Sequence, residues 1–236
     1  MKKEFLTPAL LEQPHTARDY LPWVRTLIAQ TKAVDPDGLR KIRLRVGIAK
    51  ELMQEAFPIG LFASRYFGAS PHVQIALKVG SQGYDATVQD RRAESSGIEY
   101  IEVTIANEGE IDYLRMLQLH EKGQVSGLGR VTKTGTKKTG LLVHIEPKAV
   151  SQAQVLEKER RFIAQAIERK LTKTYPVGTA LVIAFDDTMS FDRPDNIANI
   201  EATLAGYAGK LRVFRTVAVV GLVESLFLCL PSADAA

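Results

Sequence analysis

The sequence predicts an α/β fold, a mixed central sheet flanked by helices and preceded by an N-terminal helical extension. Three observations lead there. The hydrophobic period changes from helical to alternating and back along the chain. Alternating segments between residues 72 and 105 read as half-buried strands joined by hairpins. One later segment, Thr179-Ala-Leu-Val-Ile-Ala-Phe185, is continuously apolar, as a strand buried on both sheet faces should be. With 236 residues, 45% hydrophobic and 25% charged, the chain falls outside the disordered and fibrous classes. Its one cysteine, Cys229, excludes an intramolecular disulfide and a cysteine-based zinc cluster.

Residues 1–38 form the predicted extension. Pro8, Pro14, Pro22 and Asp35-Pro-Asp-Gly38 punctuate it around one short apolar helix, Trp23 to Thr31. A single domain, 39–236, follows, with a basic insertion at 122–140. Arg40 to Phe57 reads as an amphipathic helix, with Ile42, Val46, Ala49 and Met53 near helical spacing and Pro58 as its stop. Glu51 and Glu55 share one of its faces. His72 to Val79 alternates on Val73, Ile75, Leu77 and Val79. After the turn Gly80-Ser-Gln-Gly83 come a second strand, Tyr84 to Gln89, and a third, Ile98 to Ile105. Asn107 with Glu110 has the pattern of a capping box, which predicts a helix from there to His120.

Beyond the insertion, Leu141 to Ile145 is a short strand ended by Pro147. Gln152 to Lys173 is the clearest helix, with Leu156, Ile163, Ile167 and Leu171 in one stripe opposite a face rich in Glu, Arg and Lys. The buried strand 179–185, a helix from Asn196 to Ala208 and two strands, Leu211 to Val219 and Glu224 to Leu230, complete the order.

Net charge is +4, from 31 basic and 27 acidic residues, and the excess is local. Lys122, Arg130, Lys133, Lys137, Lys138 and Lys148 face only Glu121 and Glu146 within residues 121–150. Small residues, hydroxyls and cations in such an insertion suit a phosphate backbone and offer little base readout. DNA is therefore the expected partner, with Lys122, Arg130, Lys133, Lys137 and Lys138 as contacts; a solvated hairpin is the alternative. The insertion has no aromatic residue, so a stacking platform for single strands is not expected. The most hydrophobic segment, Val217 to Leu230, carries Glu224 and falls short of the about 20 apolar residues of a membrane span. The N-terminus lacks a secretory apolar stretch, so a cytoplasmic protein with no membrane partner is expected.

Two carboxylates stand out. Asp85 lies on the second predicted strand and Glu102 on the third, 17 residues away across a hairpin. If the strands pair, both reach one sheet face. Hard oxygen donors so placed suit Mg²⁺ or Mn²⁺, an ion able to activate water and stabilise charge on a phosphodiester. Exposed polar positions on half-buried strands are the alternative that these two residues leave open.

The succession of a helix bearing a Glu, a strand, Tyr84-Asp85, a hairpin, Glu102-x-Thr104 and a helix resembles the PD-(D/E)xK nuclease superfamily over residues 40–185. The resemblance implies a restriction-endonuclease-like core and metal-dependent hydrolysis of phosphodiester bonds in DNA. Mg²⁺ or Mn²⁺ would be held by Asp85 and Glu102, with Glu51 or Glu55 as the helix acid. Tyr84 stands where a proline is common, and Thr104 where the pattern has a lysine. That lysine would orient the attacking water and neutralise the transition state, whereas Thr104 offers only a hydrogen bond. Either Lys78 on the neighbouring strand or Lys122 at the helix end replaces it, or the fold serves as a non-catalytic nucleic-acid-binding or interaction module. Cleavage of both strands would call for a homodimer.

Leu181-Val-Ile-Ala-Phe-Asp-Asp187 resembles a Walker B strand, yet the nearest Walker A stretch, Gly127 to Thr134, has Thr132 where the second glycine belongs. Asp186 and Asp187 are therefore expected to cap the sheet edge or the following loop. His15, His72, His120 and His144 lack ligand spacing, and no Gly-x-Ser-x-Gly elbow supports a serine hydrolase.

Overall fold

The computed structural model describes residues 5–125, 129–136, 140–190 and 192–230. α1 (Pro8–Leu11) and a short strand, β1 (His15–Thr16), lead into α2 (Ala17–Val34), where Thr16 Oγ1 caps the first turn by accepting the Asp19 N–H at 3.3 Å. α3 (Gly38–Leu44) follows. The next helical stretch is built of α4 (Ala49–Glu51), a π-helical turn (Leu52–Ala56) and α5 (Phe57–Tyr66). Strands β2 (Val73–Leu77), β3 (Ala86–Asp90) and β4 (Tyr100–Ala106) form a meander. Then come α6 (Glu110–Lys122) and the paired strands β5 (Val131–Thr136) and β6 (Gly140–Ile145). α7 (Gln152–Leu171), β7 (Thr179–Phe185), α8 (Arg193–Ala205), α9 (Ala208–Leu211), β8 (Thr216–Gly221) and β9 (Phe227–Leu230) complete the fold.

The main sheet has seven strands in the order β1-β2-β3-β4-β7-β8-β9. β4, β7 and β8 run parallel, and the other neighbours pair antiparallel, so the sheet is mixed and flanked by helices as predicted. Every residue of β7 is buried, which is why its sequence carries no polar alternation. On one face Ile75, Leu77, Ile101 and Val182 share a core with Tyr20 and Val24 of α2 and Ile59 and Phe62 of α5. On the other, Leu181, Ile183 and Val219 join Ile163 and Ile167 of α7 and Leu204 of α8. A third, smaller core ties Val143 and Ile145 of β6 to Leu114 and Leu117 of α6 and Leu44 of α3. Among the described residues, no helix is long and apolar enough to cross a membrane.

Several local expectations change. The helix predicted over Trp23–Thr31 extends over Ala17–Val34, with Pro22 inside it. α2 approaches α5 closely because Gly60 has no Cβ, which would otherwise meet Leu21 Cδ1 at 3.0 Å. The helix predicted from Arg40 breaks at Arg45, and the helical stretch that resumes at Ala49 runs through Pro58 instead of ending there. The π turn closes with the Phe57 N–H on the Leu52 carbonyl. That wider turn carries the chain past Pro58, whose ring and missing N–H conflict with an α-helical ladder. The capping box at Asn107 does not form, since Asn107 Oδ1 accepts from Gly109 N–H at 3.1 Å and Gly109 becomes the N-cap. A complete box forms on α7 instead, between Ser151 and Gln154.

Asp187 caps the turn between β8 and β9. Its Oδ1 accepts the Val223 N–H at 2.7 Å, and its Oδ2 accepts those of Ser225 at 2.8 Å and Leu226 at 3.2 Å. Asp186 folds back on its own loop, accepting the Thr188 N–H at 3.0 Å.

Candidate active site

The site forms where β3 and β4 part. Their register pairs Thr87 with Tyr100 and Ala86 with Ile101, after which β4 continues beyond the start of β3. Asp85 stands at this step. Its N–H donates to the Ile101 carbonyl at 2.8 Å, and its Oδ2 accepts the Val103 N–H at 2.7 Å. The carboxylate thus satisfies a backbone donor left over by the ladder, and this fixes it beside Glu102.

Glu102 and Thr104 alternate onto the α7 face of the sheet and are 5% exposed. The last turn of α7 meets them. Lys170 Nζ donates to Glu102 Oε1 at 2.5 Å, while Arg169 Nη2 donates to Thr104 Oγ1 at 3.3 Å and to the Ile105 carbonyl at 3.0 Å. A cation therefore touches both positions of the Glu102-x-Thr104 pair, supplied by a helix rather than by the strand. Sequence reasoning missed both basic residues. A signal was present: Lys170 falls three residues after Ile167 and seven after Ile163, on the buried stripe of an otherwise amphipathic helix.

The carboxylates act on one another. Burial pushes Asp85 up to about 6 and the charge of Glu102 adds to this, against the Val103 N–H and the ammonium groups of Lys170 and Lys173. Glu55, on the π turn, is pushed up to about 8 by burial first, then by Asp85, Glu51 and Glu102, with Lys50 opposing. Tyr175, in the loop after α7, is raised by burial and by the charges of Glu102 and Asp85. Glu51 Oε2 is buried with no hydrogen-bond donor among the described residues.

Lys78 meets Asp85 through its backbone, whose N–H donates to the Asp85 carbonyl at 2.8 Å. Lys122 is exposed at the end of α6, Arg130 is exposed ahead of β5, and Lys133 on β5 pairs with Glu110 of α6. Lys137 and Lys138 lie outside the described residues. Arg130 also lines an open groove with Arg115, Lys148, Lys158 and Arg161, set against Glu108 and Glu157. Among the described residues, no three His, Cys, Asp or Glu side chains converge as a ready-made metal group. The donors nonetheless fit a hard divalent cation in kind: all are oxygens, two are raised by burial and mutual repulsion, and Glu51 Oε2 is left without a partner. No family model, curated protein or solved structure matches this chain.

Proposed function

We propose that the protein is a metal-dependent nuclease that hydrolyses phosphodiester bonds in DNA, a divergent PD-(D/E)xK member with a restriction-endonuclease-like core. The observation that carries the proposal is the meeting of Asp85, Glu102 and Lys170 at the point where β3 and β4 part. The element order supports it: a helical segment bearing Glu51 and Glu55, the meander β2–β4, then α7 and a strand parallel to β4.

Asp85 and Glu102, with Glu51 or Glu55, would hold Mg²⁺ or Mn²⁺, which when bound supplies a Lewis acid and a more acidic water. The chain's own groups provide the rest. Val103 N–H orients Asp85. Lys170 takes the part of the lysine absent at position 104, since an ammonium beside Glu102 can hold the attacking water and neutralise charge on the phosphate. Arg169 fixes Thr104 and the edge of β4. Lys122, Arg130 and Lys133, with Lys148 and Arg161 of the groove, would take backbone phosphates. A cytoplasmic location and, for cleavage of both strands, a homodimer belong to the same proposal.

The ion pair also favours a second reading. Lys170 neutralises Glu102 without any metal, which suits a non-catalytic DNA-binding module. Plasmid and single-strand cleavage with Mg²⁺ or Mn²⁺ separates the two. The nuclease reading expects wild-type cleavage that disappears in Asp85→Ala and Glu102→Ala while circular dichroism stays unchanged. DNA binding without cleavage in either metal selects the module, and cleavage that survives both substitutions refutes the site.

A further inference from the structure

We propose that the pocket between α3, the α4–π segment and the start of α6 binds a phosphate of the nucleic-acid strand, immediately beside the carboxylates. This rests on the nucleic-acid reading above. The pocket measures ≈ 270 Å³, and Arg43, Arg45 and Lys50 line it together with Gln54 and Asn107. Asp112 also lines it, but its Oδ2 is engaged by the Glu108 N–H at 2.9 Å.

Two features of the arginines point to an anion. Arg43 and Arg45 are half-buried, and among the described residues neither guanidinium makes an ion pair or a hydrogen bond. Cations that converge on one pocket without ion-pair partners leave their donors to an incoming anion. Arg45 also holds φ +53° and ψ +53° at the C-cap of α3, the left-handed conformation that normally selects glycine. The chain does use a glycine at the left-handed position 47, yet keeps an arginine at 45. Leu44 between the two arginines is buried in the small core with α6 and β6, so the segment is pinned at the pocket wall.

The helical segment sets this pocket next to the carboxylates. Lys50 and Gln54 are the chain neighbours of Glu51 and Glu55, so the pocket-lining pair adjoins the carboxylate pair along this segment. A strand with one phosphate at the carboxylates would lay a neighbouring phosphate over Lys50 and the arginines. Lys50 already acts on Glu55, so the two sites share one electrostatic field.

Arg43→Gln combined with Arg45→Gly separates binding from folding, because glycine relieves the backbone at position 45. Fluorescence anisotropy would measure binding of a labelled DNA oligonucleotide carrying either a 5′-phosphate or a 5′-hydroxyl, in EDTA and again with Ca²⁺. The double variant is expected to bind about tenfold more weakly, with a salt slope smaller by about 2, while its thermal midpoint holds or rises. Equal losses on both oligonucleotides assign an internal phosphate, and a loss confined to the 5′-phosphate assigns the strand terminus. Weaker binding with a lowered midpoint gives the arginines a structural role and overturns the proposal. Unchanged affinity and slope overturn the subsite alone, leaving the nuclease reading to its cleavage test. Wild-type protein that binds neither oligonucleotide in either condition overturns both.

Discussion

Lys170 Nζ lies 2.5 Å from Glu102 Oε1, so a lysine from the last turn of α7 neutralises a carboxylate in the middle of β4. The two side chains keep 14% and 7% of their exposure. Removing the ammonium strands an enclosed carboxylate, which costs about 3–5 kcal/mol. Lys170→Met should therefore lose about 3 kcal/mol of stability in EDTA. Mg²⁺ should return more of that loss to the variant than it adds to wild type, because the ion takes over the vacated charge. Hydrolysis should fall about a hundredfold. Thermal unfolding with and without metal, beside plasmid cleavage, reads both effects, and equal metal shifts in the two proteins would count against a cation at Glu102.

Glu55 offers a test of opposite sign. Its carboxyl is pushed up to about 8 by burial and by Asp85, Glu51 and Glu102, so the metal-free fold holds this proton more tightly than the unfolded chain does. Stability from this source is present below the ordinary carboxyl range, near 4.5, and is lost as pH rises towards 8. Glu55→Gln removes the penalty. In EDTA near about pH 8 the variant should gain on the order of 2 kcal/mol after discounting for solvent screening, with no gain near about pH 4. Its Mg²⁺-dependent cleavage should fall. Urea unfolding at both pH values decides, and a variant less stable than wild type at high pH would sink the argument.

The meander strands β2–β4 and the two central carboxylates are legible in the sequence because a sheet imposes a period that a reader can count, whereas the strand expected from Leu211 begins only at Thr216, after α9. Val73, Ile75 and Leu77 alternate into the core, and Asp85, one residue ahead of β3, is brought beside Glu102 of β4 by the length of one hairpin. Lys170 is legible only as an anomaly on an apolar stripe. Its partner, 68 residues earlier, depends on how α7 lies across the parallel strands β4 and β7, which no local pattern encodes. The π turn leaves as its trace a proline that should have ended a helix. The capping box at Asn107 fails for a reason of competition, since Gly109 takes the side chain first. The pocket of Arg43, Arg45 and Lys50 needs α3 and α6 brought together by Leu44 and Leu114.

Asp90 should contribute to the acid limb of stability. Its carboxylate accepts from Arg92 Nε at 2.8 Å and Nη2 at 2.6 Å, and from the Ser96 N–H at 2.9 Å. The guanidinium beside it, helped by the backbone N–H groups of Ser96 and Arg92, holds the carboxyl well below the usual range. A depressed folded value stabilises above the ordinary carboxyl range and loses that contribution as pH falls through and below it. Asp90→Asn should cost about 1–2 kcal/mol at neutral pH. Below about pH 4 its stability should converge with that of wild type. Chemical denaturation across the acid range measures this, and two parallel curves would show that Asp90 is not the group responsible.

Asp187 sits next to Asp186 at the end of a buried strand, a position that invites a metal-ligand assignment, yet backbone amides of Val223, Ser225 and Leu226 already engage both of its oxygens. Asp187→Ala should therefore cost about 3 kcal/mol by stranding those amides, and leave metal affinity and cleavage per folded molecule unchanged. Gly221→Ala should be costly as well, since an added Cβ would fall 1.9 Å from Asp187 Oδ2. The two losses share one contact. In the Asp187→Ala background the obstructing carboxylate is gone, so Gly221→Ala should then cost little, and the double variant should be far more stable than the sum of the single losses. Additive losses in that cycle would mean that Gly221→Ala is costly for a reason other than contact with this carboxylate.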